Sequence, residues 1–63
     1  MKTIEEIVQN MMDGSPDYDK PMSLEDAKRD VDNIKRDMRS NDEEIPEDLT
    51  AETYQEIWNS LLK

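Results

Sequence analysis

The clearest pattern in the chain lies between residues 24 and 39. Leu24, Ala27, Val31, Ile34 and Met38 are the only apolar residues there, spaced three, four, three and four apart. That spacing puts all five on one narrow stripe of an α-helix, with charged and amide residues around the remainder. Such a stripe is not buried alone, so the segments on either side are expected to cover it. The middle helix is expected to be the spine of the fold.

Two shorter stretches carry the same period. Ile4, Ile7, Val8, Met11 and Met12 predict a first helix over residues 3–12. Thr3 and Glu6 match a capping box at its start, and Gly14 is expected to end it in a left-handed conformation. Tyr54, Ile57, Trp58, Leu61 and Leu62 predict a third helix over 50–62, capped by Thr50 and stapled by Leu49 against Tyr54. Lys63 would place a cation at its end, offset by the terminal carboxylate. The middle helix has its own cap in Ser23 and Asp26, and a staple in Met22 and Ala27. Glu25 to Arg29 and Asp32 to Arg36 are spaced as supporting ion pairs, each contributing a few tenths of a kcal/mol, roughly.

Residues 13–22 and 40–49 read as two ten-residue connections. The first holds Gly14, Pro16 and Pro21 and has no periodicity. In the second, Ile45 is expected to be extended because Pro46 follows it, with Ile45 and Leu49 folding back onto the core. The fold class predicted is all-α: one small three-helix domain over residues 1–63. Its expected core is Ile4, Ile7, Val8, Met11, Leu24, Ala27, Val31, Ile34, Met38, Leu49, Tyr54, Ile57, Trp58 and Leu61.

Size changes the picture first. A chain of 63 residues without cysteine or histidine has no disulfide and no thiolate or imidazole metal site to reinforce it. A domain this small buries only about 60% of its unfolded surface. Low stability, a homodimer, or a fold completed on a partner is the expectation.

Charge changes it next. The net charge is −9, distributed as −3 over residues 1–23, zero over 24–39 and −6 over 40–63. From Ser40 to Leu62 there is no positive side chain. This balance argues against direct binding to a nucleic-acid backbone or an anionic membrane surface. It suits a larger basic protein or nucleoprotein complex. No apolar run has the length of a membrane span or signal-peptide core, and the expected compartment is the cytoplasm.

The residues that carry chemistry are few. Without histidine or cysteine there is no ready proton shuttle or thiolate nucleophile. Ser15, Ser23, Ser40 and Ser60 lie at turns, a cap or a helix flank with no evident activating base. No enzymatic activity, cofactor or metal is expected. Asp13, Ser15 and Asp17 match the start of a calcium loop, but Tyr18 stands where glycine is needed and Leu24 where the bidentate glutamate is needed. Helix-turn-helix DNA binding fails on its connections, which are too long, and on a third helix carrying Glu52 and Glu56 instead of arginine. The cations of the middle helix, Lys28, Arg29, Lys35, Arg36 and Arg39, are interleaved with five acids and read as a solvated face. Met11, Met12, Met22, Met38 and Trp58 read as core, with an adaptable binding surface as the alternative for the methionines and an interface anchor for Trp58.

The candidate site is the set Asp42, Glu43, Glu44, Glu47, Asp48, Glu52 and Glu56. Carboxylates displayed on a small fold can imitate the charge of a nucleic-acid backbone and occupy a basic groove of a nuclease, repressor or guide-RNA complex. The same acids also keep a small protein in solution. In size and charge alone the chain is similar to small acidic phage or plasmid proteins that inhibit host defence nucleases, and to small antitoxins. The expected function is a non-catalytic inhibitor or regulator binding through that face. The alternative is an assembly protein that homo-oligomerises through the apolar faces of the first and third helices.

Overall fold

The computed structural model describes residues 3–16 and 18–62. Asp17, weighed above as a calcium ligand, and Lys63, weighed as a helix-end cation, lie outside the described residues. Among the described residues three helices form: α1 (Ile4–Asp13), α2 (Leu24–Ser40) and α3 (Ala51–Leu61). There is no strand among the described residues.

Each helix begins where a hydroxyl can satisfy a free backbone N–H. Thr3 Oγ1 accepts from the Glu6 N–H at 3.2 Å, and Ser23 Oγ from the Asp26 N–H at 3.2 Å. At α3 the cap is reciprocal. Thr50 Oγ1 accepts from the Thr53 N–H, and the Thr53 hydroxyl accepts in turn from the Thr50 N–H. The ends differ from expectation. Gly14 closes α1 with φ −95°, not left-handed, and the one positive-φ residue among those described is Asp42, φ 57°, beyond α2.

The α2 stripe is buried as its spacing predicts, at Ala27, Val31, Ile34 and Met38. Leu24 is a correction: it is 39% exposed. It sits in the first residue of α2 at the margin of the stripe, and Met22, just before the cap, takes the buried place. Met11, Ile57 and Leu61 are half-buried against the core instead of inside it. Leu49 and Tyr54, the expected staple, are both fully buried.

The packing order also departs from expectation. α3 packs on both α1 and α2, whose Cα atoms never come within 8 Å of each other. The reason is side-chain size. Tyr54 and Trp58 lie one turn apart on the inner face of α3, rings stacked with centroids 6.1 Å apart. Both rings share one buried core with Ala27 and Val31 of α2, whose side chains are far smaller. Thus α2 is the longest helix, but α3 is the one both others touch. The radius of gyration, 10.9 Å, is close to the roughly 10.6 Å of a folded chain of this length.

The aromatic pair also carries polar tips that find partners. The Tyr54 hydroxyl donates to Asp30 Oδ2 at 3.0 Å, and Trp58 Nε1 donates to the Lys20 carbonyl at 2.7 Å. Beside Trp58, Asn59 Oδ1 accepts from the Met22 N–H at 2.9 Å, and Gln55 Nε2 donates to the Met22 carbonyl at 3.1 Å. Side chains of α3 therefore grip the backbone of residues 20–22 and hold the first connection across the helix. Among the described residues no buried side-chain nitrogen or oxygen lacks a partner.

Candidate functional site

The acidic segment starts where α2 stops. Asn41 caps the helix, and Asp42 turns the chain through the left-handed region. The Glu43 N–H then returns to the Met38 carbonyl at 2.8 Å and the Asp42 N–H to the Arg39 carbonyl at 3.2 Å. This paired closure commonly uses glycine at the left-handed position. Aspartate tolerates that region better than most residues, at some cost in strain.

Beyond the turn, apolar residues pull inward and acids stay out. Ile45 and Pro46 are half-buried and Leu49 is fully buried, while Glu47 and Asp48 are exposed at the tip between them. The Leu49 N–H donates to the Pro46 carbonyl at 3.2 Å, closing a tight turn. The Asp48 carbonyl accepts both the Thr50 N–H at 2.9 Å and the Thr53 hydroxyl at 2.7 Å. The acid-bearing turn is thereby fastened to the cap of α3.

All seven candidate residues, Asp42, Glu43, Glu44, Glu47, Asp48, Glu52 and Glu56, are exposed. They do not share one surrounding. Glu44, Glu47 and Asp48 line a cleft with Thr3 and Ile4 at the start of α1. The positive end of the α1 dipole favours carboxylates placed near it. Glu43 lines a different groove, between α1 and the end of α2. Glu52 and Glu56 stand one turn apart on the outside of α3. Among the described residues, no three His, Cys, Asp or Glu side chains converge to hold a metal ion. The arrangement suits contact with cationic groups from outside.

Sequence reasoning passed over the polar contacts of the other connection. Asp30 read as one acid in a solvated face, yet it is half-buried and holds the Tyr54 phenol. Burial first, then the Asp30 charge and its hydrogen bond, push that phenol well above its ordinary 10.0. Gln55 and Asn59 carry no part in the sequence pattern, yet both bond the backbone of Met22. Their signal was their place, one turn apart and flanking Trp58, on a helix that a proline-containing connection must cross. Two of the serines serve the backbone: Ser23 caps α2, and Ser60 Oγ donates to the Ile57 carbonyl at 2.9 Å. No helix among the described residues is long and apolar enough to cross a membrane.

Comparison of the chain with protein-family models, with curated proteins and with solved structures finds no match.

Proposed function

We propose that this protein is a non-catalytic binding module, an inhibitor or regulator that engages a larger basic protein or nucleoprotein through its acidic face. The observation that carries the reading is the cation-free stretch from Ser40 to Leu62, whose seven carboxylates are all exposed. Their backbone is tied down by the Asp42 closure, the buried Leu49 and the Thr50–Thr53 cap. A backbone fixed beforehand loses little conformational freedom on binding. The shared sign of the carboxylates steers a basic partner during encounter and makes the association sensitive to salt. The proposed setting is the cytoplasm.

The test is a pull-down from the native host at low salt, with elution by a salt step. Wild-type protein retains a basic partner at low salt and releases it at high salt. The variant Glu43→Gln, Glu44→Gln, Glu52→Gln, Glu56→Gln loses that partner while its circular dichroism is unchanged. Glutamine is preferred to lysine because Glu44 lies at the positive end of α1. A partner retained by the variant, or held equally at high salt, refutes the reading.

The assembly alternative draws less support. It requires the apolar faces of α1 and α3 to be shared between copies, and Ile7, Val8, Tyr54 and Trp58 of those faces are already covered within one chain. Sedimentation discriminates the two: a tight homodimer favours assembly, a stable monomer the acidic-face reading.

A further inference from the structure

We propose that the groove between α1 and the end of α2 receives an apolar anchor from a basic amphipathic helix of the partner. This rests on the acidic-face reading and names the kind of segment that face recognises. The groove exists because α3 separates the other two helices. With no Cα of α1 within 8 Å of α2, only side chains close the gap. The floor of the groove is lined by the half-buried Met11 of α1 and by the outer edges of Ile7, Ile34 and Met38, whose side chains are otherwise buried in the core. On each helix the two are spaced four residues apart, so the floor extends for about one helical turn. The space measures about 240 Å³. That is below the roughly 300–1,000 Å³ of small-molecule sites, and fits a side chain better than a free ligand.

The rim states the charge of the occupant. Asp37 and Glu43 line the groove, and among the described residues no cation does. The Asp42 closure sets Glu43 there, since the Glu43 N–H is bonded back to the Met38 carbonyl of the floor. An apolar anchor flanked by lysine or arginine complements both parts at once. The groove also bears on the backbone of that segment. Strand addition needs an exposed sheet edge, and the described residues contain no strand. Polyproline recognition needs an aromatic-lined groove, and this one has no aromatic residue. A groove between helices with two methionines in its lining suits an amphipathic helix laid in by its apolar face.

The experiment titrates the full chain at low salt with two synthetic peptides of equal charge. One is a Leu/Lys amphipathic helix of about four turns. The other has the same composition, scrambled so that no apolar stripe forms. Nuclear magnetic resonance reads the methyl groups of Met11 and Met38 and the amides of residues 41–56. The striped peptide is expected to shift both methyls and to bind about tenfold more tightly than the scrambled one. Asn10→Trp, which puts a bulky ring at the exposed rim, is expected to erase that advantage and leave scrambled binding as it was. Equal affinity for the two peptides, or Met11 and Met38 methyls that do not move with the striped one, overturns the groove proposal. In that case amide shifts at residues 41–56 leave the acidic-face reading standing. No binding of either peptide defeats both. The methyl readout on the unmodified chain decides the matter even if Asn10→Trp fails to fold.

Discussion

The two connections are of similar length, and both contain proline and a surplus of acid, yet they are held in opposite ways. The first is gripped from outside. Its far end is fixed by Trp58, Asn59 and Gln55, which reach its backbone from α3, while Tyr18 remains 59% exposed. The second is held from within, by the Asp42 closure, the turn at Pro46 and the burial of Leu49. The difference shows two routes by which a small domain fixes long loops without disulfides or metal. One spends helix side chains on a neighbour's backbone. The other uses one buried aliphatic residue and hydrogen bonds between near neighbours.

The sharpest way to break the contrast is Leu49→Ala. Leu49 is wholly buried and is the main apolar anchor of the second connection, so its truncation is expected to cost about 2–5 kcal/mol. In a domain this small that abolishes the cooperative melt, read by circular dichroism. Next is Tyr54→Phe, which removes the bond to Asp30 at a cost of roughly 1.5–3 kcal/mol. It also changes the response to alkali. Below pH 10.0 the phenol is neutral in both states and its bond contributes in full. Above that, the unfolded chain loses the proton that the folded chain keeps. Stability then falls as pH rises, by up to about 1.4 kcal/mol per pH unit. Chemical denaturation between pH 9 and 11, roughly, is expected to show that slope in the wild type and not in Tyr54→Phe.

Smaller effects separate the connections further. Asn59→Ala leaves the Met22 N–H without its side-chain partner and is expected to cost about 1 kcal/mol. Hydrogen exchange is expected to quicken at Met22 and to be unchanged at Leu49. If both amides quicken together, the connections are not independently held. Asp42→Gly relieves the left-handed backbone and removes a carboxylate from the negative end of α2, and is expected to stabilise by roughly 0.5–1 kcal/mol. Gly14→Ala is the mildest. Its new Cβ meets only the Asn10 carbonyl oxygen, at an ordinary 3.7 Å, and φ is already negative. A gain of about 0.4 kcal/mol is expected, from lost freedom in the unfolded chain. A domain of this size converts each kcal/mol to about 4–8 °C in melting temperature, so both gains are measurable.

What was legible in the sequence is what is local. Helices and N-terminal hydroxyl caps follow from residues within a turn or two of one another and are present, with Leu49 and Tyr54 both buried at the expected staple, though only the Thr50 cap is a reciprocal box and Gly14 is not left-handed. The grip on residues 20–22 was not legible, because it joins groups 33 to 38 positions apart through side chains that have no periodic signature. Leu24 was misplaced because periodicity does not say where a neighbouring helix ends. The central position of α3 was missed because stripe length is visible in a sequence and ring reach is not. The acids of the candidate site were plain from composition. Their separation into a cleft by α1, a groove by α2 and the back of α3 depends on the turn at Asp42, where aspartate stands in place of the glycine such closures commonly use.

The grip on the first connection has a consequence for how freely that segment can drift. Gln55, Asn59 and Trp58 recognise carbonyl and amide groups, which nearly every amino acid supplies alike. The bonds at Lys20 and Met22 are therefore set by where the backbone lies and not by the identity of the side chains there. Proline at position 22 is the exception, since its nitrogen has no hydrogen to offer Asn59.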